Sequence, residues 1–99
     1  MEILRSRRFI RELKRLSKQH YPVNLIVDYV TAIEEKDEIT LRRIKDHPLT
    51  GNWQGYREFH PGRLSTNSSV LDQWIVVYLI DSDHIVLTLV TTGSHDILR

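Results

Sequence analysis

The side chains best suited to moving protons in this chain are its five histidines, and two of them bracket one short stretch, KDHPLTGNWQGYREFH, from Lys45 to His60. His20 falls at the end of a helical pattern, where an imidazolium is favoured beside the helix dipole. His84 lies in the polar DSDH segment, a predicted hairpin turn, and is expected to be solvated. That leaves His47, before Pro48 in a loop, His60, at the close of a predicted strand, and His95, just after the last predicted strand. If adjacent antiparallel strands carry His60 and His95, their ends can converge on one edge of a sheet. Glu58 and His60 are two apart on an extended strand and therefore share a face.

Imidazoles and a carboxylate at one place suit acid–base chemistry, because both protonation states of histidine are accessible near neutral pH. Cleavage of RNA by its own 2′-hydroxyl needs a base for that hydroxyl, an acid for the departing 5′-oxygen, and cations around the phosphorane. Histidines can fill these posts, and Arg57 or Arg63 can serve as a phosphate clamp. Two other readings remain open from spacing alone. Three histidines could bind zinc with one open position, although their separations match no compact metal motif. They could also be three unrelated surface histidines.

The elements that must position these residues can be read from the pattern. Ser6 is a good N-cap, and Phe9, Ile10, Leu13 and Leu16 recur at helical spacing. The opposite face of that helix is a basic stripe that includes Arg11 and Lys14. PVNLIVDYVTAIEEKDE forms the second helix, with an apolar stripe from Val23 to Ile33, and the two are expected to pair as an antiparallel hairpin. MEIL is expected as a short strand, ITLRRI as a helical or irregular bridge, and GYREFH, LDQWIVVYLI and IVLTLVTT as strands. PGRLSTNSS is a polar loop. The order is two helices followed by an antiparallel meander, an α+β fold with the helices on one face of the sheet.

Ninety-nine residues make one domain, residues 1–99. No apolar run approaches the roughly 18 residues of a membrane helix, and no apolar segment of signal-peptide length follows the basic start MEILRSRR. Without cysteine there are no disulfides and no thiolate metal sites. A cytoplasmic protein is expected. The net charge of +1 hides an uneven layout: residues 1–20 carry seven Lys/Arg and two acids, residues 21–40 one Lys and five acids. Residues 41–63 are basic again, with Arg42, Arg43 and Lys45. Two basic blocks in a near-neutral chain make a local basic face, to be read either as a nucleic-acid surface or as solvated helix.

The stretch from Asp46 to His60 closely resembles a segment of YafQ-type toxins of the RelE superfamily that reads DHPL-x-G-x-W-x-G-Y-R-[DE]-x-H. QWIVVYLI resembles the family's DWILIY-type strand, and TTGSHDIL its RTGTH-type end. The resemblance spans nearly the whole chain. It implies a bacterial type II toxin, an endoribonuclease that enters the ribosomal A site and cuts mRNA during translation. It implies a RelE-like α+β domain with two N-terminal helices packed on a twisted antiparallel sheet. It also implies no metal and no cofactor. The implied partners are a cognate antitoxin, the ribosome and mRNA, with operator DNA reached only through the antitoxin, and no membrane. The expected products are a 2′,3′-cyclic phosphate and a 5′-hydroxyl.

Carried over by position, the resemblance places His47, Glu58, His60, Trp74 and His95 on functional positions. His60 and His95 form the expected proton-transfer pair, with His47 on the phosphate. Trp74 either stacks on RNA or belongs to the core. Arg11, Lys14, Arg42, Arg43, Lys45, Arg57 and Arg99 are expected to meet RNA or the ribosome. Glu58 stands where an Asp is usual, Gln73 where an Asp precedes the Trp, and Thr91 where an Arg helps hold the phosphate. Arg99 falls where an aromatic is usual. These departures support the alternative reading, a weakened or inactive toxin that acts only by binding an antitoxin or RNA. A free-standing ribonuclease is a third.

Overall fold

Ser6 decides where the first strand ends and the first helix begins. Its Oγ accepts from Phe9 N at 2.9 Å, the bond of an N-cap, and donates to Val90 O at 2.6 Å. Its backbone N–H donates to Leu89 O at 2.9 Å. One residue thus turns the chain out of a strand (β1, Glu2–Arg5), opens a helix (α1, Arg7–Lys18) and fastens both to the last strand. The computed structural model describes residues 2–64, 71–81 and 86–98. Most of the DSDH turn with His84, the latter part of the PGRLSTNSS loop, and Arg99 lie outside the described residues.

Helix α1 ends as His20 takes the left-handed conformation at φ 67°, and the second helix, α2, runs Leu25–Glu35. It starts later than its proline suggested, because residues 22–24 form a separate turn that closes through Leu25 N to Pro22 O. A left-handed Lys36 ends it, and Asp37 then caps a third helix, α3 (Glu38–Arg43), by accepting from Thr40 N at 3.2 Å and Thr40 Oγ1 at 2.7 Å. The expected helical hairpin is looser than a packed pair. A groove of about 280 Å³ lies where α1, α2 and β1 meet, lined by Leu13, Ile26 and Val30 among others.

The sheet has five strands in the order β1-β5-β4-β3-β2, with β2 His47–Pro48, β3 Arg57–Phe59, β4 Ile75–Asp81 and β5 Val86–Gly93. The four strands β2 to β5 form the expected antiparallel meander, whereas β1 lies parallel to β5 at the edge. A parallel neighbour needs a crossover, and the helices supply it. Strand β4 is shorter than LDQWIVVYLI, since Leu71 to Gln73 form a turn before it. A bulge at Val77–Tyr78 leaves Val90 without a register partner and twists the β4–β5 pair. The core gathers Phe9 and Leu16 of α1, Ile26, Tyr29, Val30 and Ile33 of α2, and Phe59, Trp74, Val76, Tyr78, Leu87 and Leu89 of the sheet. Among the described residues, no helix is long and apolar enough to cross a membrane.

Candidate active site

Strands β2 and β3 bring the chemistry together. His47 stands directly opposite Glu58 in the antiparallel register, and directly opposed side chains share a face. His60 follows β3 and is held by its N–H to Ile44 O at 2.8 Å. Glu58 is 2% exposed and His60 8%, so this carboxylate is buried between two imidazoles. His47 Nε2 lies 3.0 Å and His60 Nε2 3.4 Å from the same oxygen, Glu58 Oε1. The two rings are stacked with centroids 6.0 Å apart.

The outer contact of His47 orients its ring. Its Nδ1 lies 2.6 Å from Lys45 O, a carbonyl that can only accept, so Nδ1 carries the hydrogen. Nε2 then faces a carboxylate. Glu58 Oε1 lies 3.0 Å from it, within hydrogen-bond reach. The backbone makes this possible: Lys45 adopts φ 55°, which turns its carbonyl back toward the ring of His47. The three side chains also offer donor atoms within 4.8 Å of one another, a two-histidine, one-carboxylate set that fits a divalent cation.

On the other side of the same short ladder sits a second network. Arg57 Nη2 donates to Asp46 Oδ2 at 2.7 Å and Nε to the Tyr78 hydroxyl at 3.3 Å, while the Tyr78 hydroxyl donates to Asp46 Oδ1. Burial raises the Tyr78 pKa, and Asp46 raises it further. Burial alone would lower that of Arg57, and its bonds to Asp46 and Tyr78 more than offset this. The Arg57 side chain is 38% exposed, so it reaches solvent with its charge already partnered.

Along its whole length, residues 1–99, the chain matches the family described as the bacterial toxin of type II toxin-antitoxin system, YafQ. It belongs to the YafQ toxin family. The mRNA interferase toxin YafQ of Escherichia coli K12 is 29% identical over 91 residues, 91% of this chain and 86% of that one. YafQ in the E. coli DinJ-YafQ toxin-antitoxin complex is 28% identical with a TM-score of 0.71, covering 98% of this chain and 94% of that one. A metal-bound toxin from Helicobacter pylori is 28% identical with a TM-score of 0.76, covering 100% and 99%. The family, the fold and the enzyme class expected from the sequence stand.

Other positions singled out by the YafQ resemblance fare differently. Trp74 is 1% exposed, donates its Nε1 to Thr92 Oγ1 at 2.9 Å, and meets Tyr21 edge-on at 5.4 Å. It is a core residue, the second of the two roles its position left open. Thr91, at the place of the family's arginine, is fully buried and donates to Glu12 Oε1. The same oxygen accepts from Thr92 N at 3.2 Å, so a carboxylate on the basic helix α1 ties down the end of β5. Gln73 and Asp72 lie in the turn before β4 rather than on the strand, so strand alternation does not apply to them. Asp72 accepts from Arg63, which holds that second candidate clamp.

Arg11 and Lys14 lie along a groove of about 470 Å³ on α1, with Arg7, Arg15 and Lys18. Arg42 and Arg43 are exposed in the last turn of α3, and Lys45 is exposed beside them. His95 begins a short 3-10 turn, His95–Leu98, directly after β5. Its imidazole, like Arg99, falls outside the described part of the molecule, so its expected convergence with His60 lies there too. The sequence reading passed over Asp46, Tyr78 and Glu12. Asp46 stood inside the matched motif, which was the one available signal.

Proposed function

We propose that this chain cleaves mRNA on the translating ribosome by metal-independent histidine chemistry, as a toxin held in check by a cognate antitoxin in the cytoplasm. The buried Glu58 carboxylate between His47 and His60 carries the reading. One group takes the proton of the 2′-hydroxyl, the oxygen attacks phosphorus, the P–O5′ bond breaks, and a second group protonates the leaving oxygen. A 2′,3′-cyclic phosphate and a 5′-hydroxyl result. His60 and His95 are the proton-transfer pair, His47 stabilises the phosphate, and Glu58 holds the two imidazoles in place. The basic groove of α1 and Arg42, Arg43 and Lys45 grip ribosomal RNA through its phosphates. Membership of the YafQ family and the relative crystallised with DinJ support the antitoxin partner.

Primer extension on a reporter mRNA in a translating extract, repeated on the naked transcript, tests this. Cuts in frame with codons and only with ribosomes are expected, and His60→Gln should lower them by about 10²- to 10⁴-fold, the usual worth of a general acid or base. Cuts on naked RNA would mean a free-standing ribonuclease, and no cuts in either would leave a binding protein.

A second reading is favoured by the donor set of His47, Glu58 and His60 and by the metal-bound H. pylori relative. A divalent cation held there would supply Lewis-acid chemistry at the phosphate. In the first reading EDTA leaves cleavage intact and added zinc inhibits it, since zinc occupies the proton-transfer groups. In the second, EDTA abolishes cleavage and zinc restores it.

A further inference from the structure

The loop between β2 and β3 spends two aromatic side chains where the core does not need them. Residues 49–56 form the tip of that hairpin, closed by Leu49 N donating to Tyr56 O at 2.8 Å. Gly51 at φ 64° and Gly55 at φ 96° supply the two backbone conformations that only glycine adopts cheaply. Between them, Gly51–Trp53 make a single 3-10 turn. Trp53 and Tyr56 meet edge to face, with centroids 5.2 Å apart, and both stay half-exposed. Neither belongs to the hydrophobic core cluster or the partly buried side chains packed against it.

The indole is nevertheless fixed. Trp53 Nε1 donates to Leu98 O at 3.0 Å, which ties the hairpin tip to the turn that begins at His95. The result is an open cavity of about 350 Å³ lined by Asn52, Trp53, Tyr56 and Leu98. An indole held by its own hydrogen bond, with Tyr56 edge-on beside it, is a ready platform for a flat ring, because little of its rotamer freedom remains to be lost on binding. Exposed Asn52 beside it offers an acceptor and two donors, the complement of a base edge.

We propose that this cavity is a nucleobase subsite, in which Trp53 stacks an unpaired base of the RNA substrate, Tyr56 packs against the rim of that base, and Asn52 reads its edge. The proposal rests on the reading above that the chain cleaves RNA. Its two walls continue the segments that carry the chemistry. Tyr56 precedes Glu58 by two residues, about 7 Å along an extended chain, and Leu98 shares its turn with His95. A base seated here therefore adjoins the scissile phosphate, and its identity sets which codons are cut.

The two tryptophans make a direct test. Trp74 is 1% exposed and Trp53 is not, so a ligand that stacks in the cavity quenches Trp53 against a constant background. The purified protein is titrated with the four homotrinucleotides, without ribosomes, and cut sites are mapped in the translating extract for wild type, Asn52→Ala and Tyr56→Leu. Saturable quenching is expected, absent in Trp53→Phe and weakened roughly five-fold in Tyr56→Leu, the size of a lost edge-on aromatic contact. Asn52→Ala should redistribute cuts among codons. Asn52 is exposed, so that variant folds even if the aromatic ones do not, and thermal melts check all three. No quenching by any trinucleotide overturns the subsite, as does a cut pattern left unchanged by both variants. Quenching by a wild-type protein that cuts nothing keeps the base site and overturns the cleavage reading instead.

Discussion

Consecutive residues near a strand point to opposite sides, so the Asp46–Arg57 ion pair and the His47–Glu58 pair brace the same two-residue ladder from its two faces. That ladder needs bracing, because Pro48 has no N–H to give it. Asp46 is accordingly a positioning residue for His47. Asp46→Asn keeps the shape and removes the charge that holds Arg57. It should lower kcat by about 10- to 100-fold with little change in KM, the scale of a misplacement near 1 Å. Single-turnover cleavage beside a thermal melt decides it; a folded Asn variant with wild-type kcat would sink the idea. Why the sequence did not announce this network is plain from its spacing. Asp46 is 11 residues from Arg57 and 32 from Tyr78. Only sheet register brings them together, and register is not written in either segment. Glu12 was hidden in the same way. It reads as one acid in a basic helix, and its partners Thr91 and Thr92 are 79 and 80 residues away. His47, Glu58 and His60 were legible because one contiguous motif holds all three.

At the scale of elements, those whose signals are local were readable and those defined by a partner were not. Helix α1 carries its own cap and its own apolar stripe, and β3, β4 and β5 carry β-branched or alternating runs. Strand β2 is two residues long and contains a proline, so nothing in it says strand until β3 lies beside it. The turn at Leu71–Gln73 was absorbed into β4 because Leu and Trp look like strand residues. Ser6 joins helix to sheet through its side chain, and removing that side chain should be felt in both. Ser6→Ala loses a cap and a bond to Val90 O, about 1–2 kcal/mol together. A fall in Tm of roughly 4–15 °C follows for a domain of this size. Differential scanning calorimetry measures it, and Ser6→Thr should recover most of the loss. An alanine variant that melts with the wild type would show that α1 is held by packing alone.

For the molecule as a whole, charge is divided between surfaces. The basic groove on α1 and the cations of α3 and Lys45 face solvent, while Arg57 and Arg63 have carboxylate partners. On the proposed reading, the phosphates of ribosomal RNA meet the helices, and the scissile phosphate is left to the histidines. Reversing Arg11 and Lys14 together to Glu should weaken ribosome association by more than ten-fold in low salt, with a shallower dependence on salt because fewer counterions are released. Co-sedimentation with ribosomes across a salt series reads both quantities, and unchanged binding would make the stripe an ordinary solvated face.

The parallel pairing of β1 with β5 joins Glu2–Arg5 to Val86–Leu89. It sets a clock on synthesis. The sheet's edge cannot form until β5 has left the exit tunnel of the ribosome making it, and Glu12 has no β5 to hold before then. A nascent chain without β5 therefore lacks both the parallel edge of its sheet and the anchor for α1, and the scaffold under the β2–β3 ladder is completed last.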